Sequence, residues 1–331
     1  MNYKDLLKKE EYNFLKDNEH LGNNIIMLCL GGSHAYGTNV ETSDVDIRGI
    51  ALENPEDIIG YSKFEQFIDE KTDTTIYAFN KMMHLLAEGN PNIIEILGLE
   101  EDQYLYLSPL GKEILDNKNL FLSQKVFYTF GGYARANLKR LENALARDNY
   151  PEKKKNEHIA ISLQSAIDSF NTQHKTDINP AFAHVVDGKL VYDLDLKNFP
   201  AEELEVLYST ISNTTRNYKE LLNRNRKKDD AHLNKHAMHL VRLYLMCIDM
   251  LEKGEIITKR TENHELLMDI RNGKYMDNSG NMTQEFYQLV SELEKRCKAA
   301  LDNTKLPKKP NVKEIEKFVM KVNRKIINKE F

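Results

Sequence analysis

The chain has 331 residues, 41% of them apolar and 29% charged. These are the proportions of a globular protein, and they exclude collagen-like, mucin-like and wholly disordered chains. Lys and Arg number 46 against 51 Asp and Glu, a net charge of −5, which excludes an all-round basic coat for nucleic acid. The charge is uneven: residues 1–120 carry −12 and residues 121–331 carry +7. Chance composition gives such a split, and so does a carboxylate-rich site facing a cationic surface. Cys29, Cys247 and Cys297 are far apart, with no CxxC, so they read as buried thiols in a reducing compartment.

The length suggests about two domains. Residues 3–20 carry Tyr3, Leu6, Leu7, Phe14 and Leu15 at helical spacing. Ile25–Leu30 is an apolar run ending at Gly31-Gly32, the pattern of a buried strand entering a tight turn. Val45, Ile47, Ile50 and Leu52 predict a second strand over 44–52, and Phe64–Ile68 with Thr74–Phe79 predict a hairpin around EKTD. Lys81–Glu88 is helical, Asn90-Pro91 caps and opens the next helix, and Ser108-Pro109 starts another. From Phe121 the spacing predicts helices over 121–147, 157–172, 201–222, 231–253, 262–272, 284–301 and 311–328. A hairpin signal at Asp187-Gly188 and the breaker LPKKP at 306–310 interrupt them. The expected architecture is α+β: a small mixed sheet with helices on one face over 1–118, then a mainly helical domain over 119–331. Apolar runs such as Ile25–Leu30 fall far short of the ~20 residues of a membrane span. The N-terminus has no apolar stretch of a signal peptide, so a cytoplasmic protein without a membrane partner is expected.

The segment GGSHAYGTNVETSDVDIRG, residues 31–49, carries the chemistry. Asp44 and Asp46 stand at i and i+2 on the expected strand, so both carboxylates share a face and Val45 and Ile47 face the core. Like charges held that close call for a cation, and hard oxygen ligands suit Mg²⁺. Arg48 falls on the same face, placed to pair with a carboxylate or a phosphate. Gly32-Ser33 offers a turn with backbone N–H groups and a hydroxyl for an anion. A phosphate-cradling turn and a carboxylate pair on a strand are the equipment of two-metal phosphoryl or nucleotidyl transfer.

Gly-Ser, ten residues, then D-x-D resembles the signature of the DNA polymerase beta superfamily of nucleotidyltransferases. The longer string GSHAYGTNVETSDVDIRGI resembles one branch of it, the RNA repair pathway DNA polymerase beta family. The likeness extends to TDTTIYAFNKMMHLLAEGNPNIIEIL, FLSQKVFYTFGGYARANLKRL and NKHAMHLVRLYLM. The resemblance implies two Mg²⁺ ions, replaceable by Mn²⁺, on Asp44, Asp46 and a third carboxylate that also helps deprotonate the acceptor. It implies Gly32 and Ser33 at the β/γ-phosphates of an NTP such as ATP, and a helical domain that completes the nucleotide cleft. Asp69, Glu70 and Asp73 are candidates for the third acid. Asp73 is favoured, because it opens the strand Thr74–Phe79 in phase with Thr75 and Tyr77 and because the resemblance puts a carboxylate just before T-I-Y.

On the helix 231–253, Lys235, His239 and Arg242 fall at i, i+4 and i+7 beside an apolar stripe. The stripe suits a triphosphate; a solvated basic face is the plainer reading. His232, His236 and His239 lack a metalloprotease Glu, and His34 fits either a ligand contact or a bond to a backbone carbonyl. The basic runs Lys153–Lys155 and Arg224–Lys228 read as solvated faces. Residues 301–331 hold nine Lys and Arg against four acids, a charge suited to a polynucleotide, although no aromatic residue is interleaved. The expected function is metal-dependent transfer of a nucleoside monophosphate from an NTP to an acceptor hydroxyl with release of pyrophosphate. The branch's name implies an RNA end as acceptor. The alternatives are nucleotidylation of a protein side chain, as antitoxins of the superfamily perform, and a non-catalytic nucleotide or RNA sensor.

Overall fold

The computed structural model describes residues 3–149, 152–179, 182–187, 189–197, 199–224, 230–278 and 280–331. Five strands form one mixed sheet: β1 (Ile25–Leu30), β2 (Ile47–Ala51), β3 (Gln66–Asp69), β4 (Thr74–Ala78) and β5 (Tyr104–Leu107), in the order β3-β4-β2-β1-β5. β1 runs antiparallel to β2 and β5, β3 antiparallel to β4, and β2 parallel to β4. β1 matches its predicted bounds and is buried throughout. β5, an edge strand reading YLYL with Tyr106 exposed, is unannounced by the sequence pattern.

Helices follow: α1 (Gly32–Tyr36), α2 (Phe79–Ala87), α3 (Pro109–Asp116), α4 (Lys125–Asn149), α5 (Glu152–His174), α6 (Ala201–Arg224), α7 (Asp230–Lys253), α8 (His264–Arg271), α9 (Gln284–Asn303) and α10 (Val312–Ile327). Local chemistry sets their starts. The Asn90 side chain accepts from Asn92 N ahead of Pro91, and the Ser108 hydroxyl accepts from Gly111 N at the start of α3, each relieving an orphan donor of a first helical turn.

Both faces of the sheet are covered, not one. The short helices within residues 3–17 bring Leu6, Tyr12 and Leu15 onto Leu28, Leu30, Ile47 and Ile76. α2 and α3 pack against the strands as well. The N-terminal segment thus acts as a lid on a face that would otherwise expose apolar side chains.

The chain packs as two units, Met1–Leu138 with Asn234–Phe331, and Lys139–Leu233. The division therefore departs from the expected one at 118: residues 234–331 belong with the sheet. The second unit has its own core, in which Leu163, Ile167, Phe170, Phe182 and Leu207 meet. Its two-stranded ribbon, β6 (Ala183–Val186) and β7 (Lys189–Tyr192), matches the hairpin expected there; Gly188 itself lies outside the described residues. The basic clusters 153–155 and 224–228 also fall where the side chains lie outside the described residues. All three cysteines are buried free thiols, with the Cys247 and Cys297 sulfurs 3.1 Å apart. Among the described residues no helix is long and apolar enough to cross a membrane.

Candidate active site

β1 ends at Leu30, paired with Ile47, and β4 begins at Thr74, paired with the same Ile47. The last ladder bonds there are Gly31 N to Asp46 O at 2.8 Å and Ile47 N to Asp73 O at 3.1 Å. Because β2 and β4 are parallel, the residues just before them, Asp46 and Asp73, come side by side. The Asp46 carboxyl is pushed up to about 6, first by burial and then by the neighbouring Asp73. Arg48 closes the group. It donates to Asp46 Oδ1 at 3.1 Å and to the Asp73 carbonyl at 2.8 Å, and its Nη1 lies 3.5 Å from Asp73 Oδ1. Asp73 holds φ at +46°, a region non-glycine residues seldom adopt.

Gly32 makes room for this pair. Its φ is +55°, and a Cβ there would stand 2.0 Å from Asp46 Oδ2. A side chain is excluded by geometry and by space. Ser33 follows within α1, which Gly37 ends in the left-handed region at φ 72°.

Asp44 lies elsewhere in the group than expected. β2 begins at Ile47, so Asp44 and Asp46 stand in the irregular segment before it and not on a strand face. The ladder cannot extend further: β1 has turned at Gly31-Gly32 and β4 gives way to the 70–73 turn, so residues 44–46 have no neighbouring strand. Asp44 is exposed and lines an open cleft of about 370 Å³ with Asp73, Glu70, Lys71, Glu11 and Tyr12. Among the described residues no three acidic, His or Cys side chains form a group that could hold a metal ion. Asp46 and Asp73 thus supply two adjoining oxygen donors, and Asp44 faces the cleft that Asp73 shares.

Asp69 does other work. Its Oδ2 accepts from Thr72 N at 2.9 Å and from the Thr72 hydroxyl at 2.7 Å, fastening the hairpin turn. His34 takes the plainer reading: Nδ1 meets the Tyr3 hydroxyl at 2.9 Å, and Nε2 lies 3.4 Å from the Ser43 carbonyl.

The helical stripe is corrected. Lys235 is exposed and its charge acts on the Asp46 carboxyl. Arg242, by contrast, is fully buried. Its Nη1 bonds Glu95 Oε2 at 3.0 Å, and its guanidinium lies 3.5 Å over the Tyr36 ring. The Tyr36 hydroxyl donates to the same Glu95 carboxylate at 2.8 Å. Arg242 Nη2 donates to His239 Nδ1 at 3.1 Å, so Nδ1 is an acceptor and the imidazole is neutral. Burial and the cations Arg242 and Lys235 push the His239 pKa down to about 2. Neither residue presents a charge to a triphosphate. The reason for Arg242 is that α7 is buried all round from Leu240 to Met246, so its side chain has no solvent side.

Tyr36 and Glu95 complete this buried cluster, and Glu95 carries a sequence signal of it. The signal was present: an acid inside the apolar run IIEIL requires a cation when buried. Arg242 ties that acid to α1, and Arg271 donates to the Thr38 carbonyl and, at 3.3 Å, to the Ser43 hydroxyl. The loop between Gly32 and Asp46 is held from residues 242–271.

No curated protein and no solved structure matches this chain. The sequence model of one family matches residues 7–160, a stretch that takes in β1–β5, Gly32, Asp46 and Asp73 but stops short of the helix with Lys235. Over residues 7–160 the chain thus matches the RNA repair pathway DNA polymerase beta family, the branch that the Gly-Ser and D-x-D motif resembles.

Proposed function

We propose that the protein is a metal-dependent nucleotidyltransferase that moves a nucleoside monophosphate from an NTP to an acceptor hydroxyl, releasing pyrophosphate. The observation that carries this reading is the parallel register of β2 and β4, which sets Asp46 beside Asp73 under the side-chain-free Gly32. The family match supports a polymerase beta-like transferase, and the family's name supports an RNA end as acceptor.

The donor set fits a hard divalent cation. The buried Asp46 carboxyl and its neighbour Asp73 offer hard oxygen donors to Mg²⁺, or to Mn²⁺ in its place. Asp46 and Asp73 would hold it, with Asp44 approaching from the cleft to serve a second ion. Bound there, the metal would neutralise charge on the transferring phosphate and lower the pKa of the attacking hydroxyl. The chain supplies the rest. Gly32 and Ser33 offer backbone N–H and hydroxyl to the β- and γ-phosphates. Arg48 fixes the two carboxylates, and Lys235 attracts the polyphosphate. Asp73, the more exposed of the pair, receives the acceptor's proton.

The test is incubation with α-labelled NTPs and Mg²⁺, with and without single-stranded RNA. Label on RNA that vanishes in Asp46→Asn protein is the expected result. Label on the protein itself would point to the protein-modifying alternative. Absence of transfer, with nucleotide still bound, would point to a sensor.

A further inference from the structure

The C-terminal segment has no part in the chemistry above. Residues 305–329 hold nine Lys and Arg against Glu314 and Glu316. α10 buries Ile315, Phe318, Val322 and Ile326. At 100° per residue, Lys313, Lys317 and Arg324 lie on the opposite side and Lys321 on its flank, one cation every turn or so over about 17 Å. Lys317 and Lys321 face Glu314 at 2.8 Å and Glu113 at 2.6 Å in exposed pairs, which are weak. Lys308, Lys309, Lys313 and Arg324 enter no ion pair among the described residues. Lys308 and Lys309 sit on a fixed strap: Gln124 N bonds the Pro307 carbonyl at 2.8 Å, and Asn311 N bonds the Leu120 carbonyl at 3.1 Å.

Two exposed rings lie at the borders of α10. α10 packs against the short helix Pro55–Ile59, and Tyr61, two residues beyond it, is wholly exposed at 103%. Phe331 is 59% exposed and lies 5.7 Å from Lys325 Nζ. A row of cations beside exposed aromatic rings is the equipment of single-strand binding, in which phosphates meet charge and bases stack on rings. A membrane is disfavoured, because an interfacial helix must insert its apolar face, and here that face lies in the core.

We propose that the outer face of α10, the Lys308-Lys309 strap and Tyr61 form a docking track for single-stranded RNA, without regard to sequence. The track is remote from the site. α10 meets Phe79 and Asn80, which follow β4, and the helix that follows β2, whereas Asp46 and Asp73 precede those strands. About 17 Å of strand separates the two ends at ~3.3 Å per residue. The track deepens the reading above by giving its acceptor a place to bind, and rests on that reading only for the strand's role as acceptor.

The experiment is fluorescence anisotropy of the full chain with a fluorescein-labelled, unstructured 20-nucleotide RNA across a salt series. The Lys308→Glu/Lys309→Glu/Lys313→Glu/Arg324→Glu protein is expected to bind more than tenfold more weakly, with a shallower salt slope by roughly 0.7 per lost phosphate contact. Tyr61→Ala is expected to lose roughly 5- to 100-fold for single strands and little for a duplex. NTP affinity and melting temperature stay at parent values in both. Asp46→Asn/Asp73→Asn protein keeps full RNA affinity, so failure of the chemistry and failure of the track are read separately. The proposal is overturned if the parent does not bind the RNA at micromolar protein and low salt, or if the charge-reversed protein binds it equally. Capture of the parent by phosphatidylserine vesicles in place of RNA would overturn it too.

Discussion

Asp46, Asp73 and Gly32 form the smallest unit of the site, and each answers to a different substitution. Asp46→Asn or Asp73→Asn is expected to cut Mg²⁺-dependent turnover by about 10²-fold or more, as loss of a positioned acid–base or metal ligand does. Removing one of two adjoining carboxyls leaves the melting temperature of the metal-free protein unchanged or higher. Asp69→Ala separates structure from chemistry. It removes two bonds to Thr72, so stability is expected to fall by about 1–2 kcal/mol in a denaturant titration while specific activity survives. Normal activity in Asp73→Asn beside a dead Asp69→Ala would reverse the assignment. Gly32→Ala forces either α1 or the Asp46 carboxylate to move, since its methyl would land on Oδ2. Activity is expected to collapse in a protein that retains its helical circular dichroism.

Arg242 decides the behaviour of a whole element. Arg242→Ala leaves Glu95 buried without its cation, at about 3–5 kcal/mol, and unmoors α1 through Tyr36. Glu95→Gln/Arg242→Met is expected to recover most of that loss, a coupling that a double-mutant cycle in urea would measure. His239, on the same turn of α7, adds a pH dependence. Its folded pKa, about 2, lies below the unfolded value of ~6.5, so the unfolded chain takes up the proton first. Its contribution is complete above pH 6.5 and declines as pH falls, by about 2 kcal/mol at pH 5. His239→Gln, which keeps an acceptor for Arg242, is expected to flatten that part of the stability–pH curve.

The elements show what a sequence can reveal. β1, the EKTD turn and the Ser108 cap were legible because their signals are local: an apolar run, turn residues, a capping hydroxyl. The start of β2 was not, because a strand ends where its neighbours end, and Gly31 and Asp73 stop both neighbours at Ile47. That is why the pair expected on one strand face, Asp44 and Asp46, does not form there, and why Asp46 lies instead beside Asp73, the residue favoured for the third acid. Arg242 was misread for a similar reason. Helical spacing gives the direction of a side chain, not what occupies it, and the occupant, Glu95, lies 147 residues earlier in the chain.

At the scale of the whole molecule, the sheet and residues 234–331 form one packing unit around that pair. A fragment ending at residue 118 would contain all five strands and the three carboxylates, yet lack Arg242 beneath Tyr36 and Arg271 on the Thr38–Ser43 loop. It is expected to show no cooperative melt and to bind no nucleotide, whereas the full chain is expected to melt cooperatively and to bind NTP; a cooperative, nucleotide-binding fragment would contradict the division. The same distance in the chain has a consequence on the ribosome. Glu95 emerges long before its cation is synthesised, and at about 5–20 residues per second the interval is roughly 7–30 s. Throughout that time the β-sheet segment carries an acid it cannot bury, so the nascent N-terminal part must wait, incompletely closed and open to chaperones, until α7 arrives to complete it.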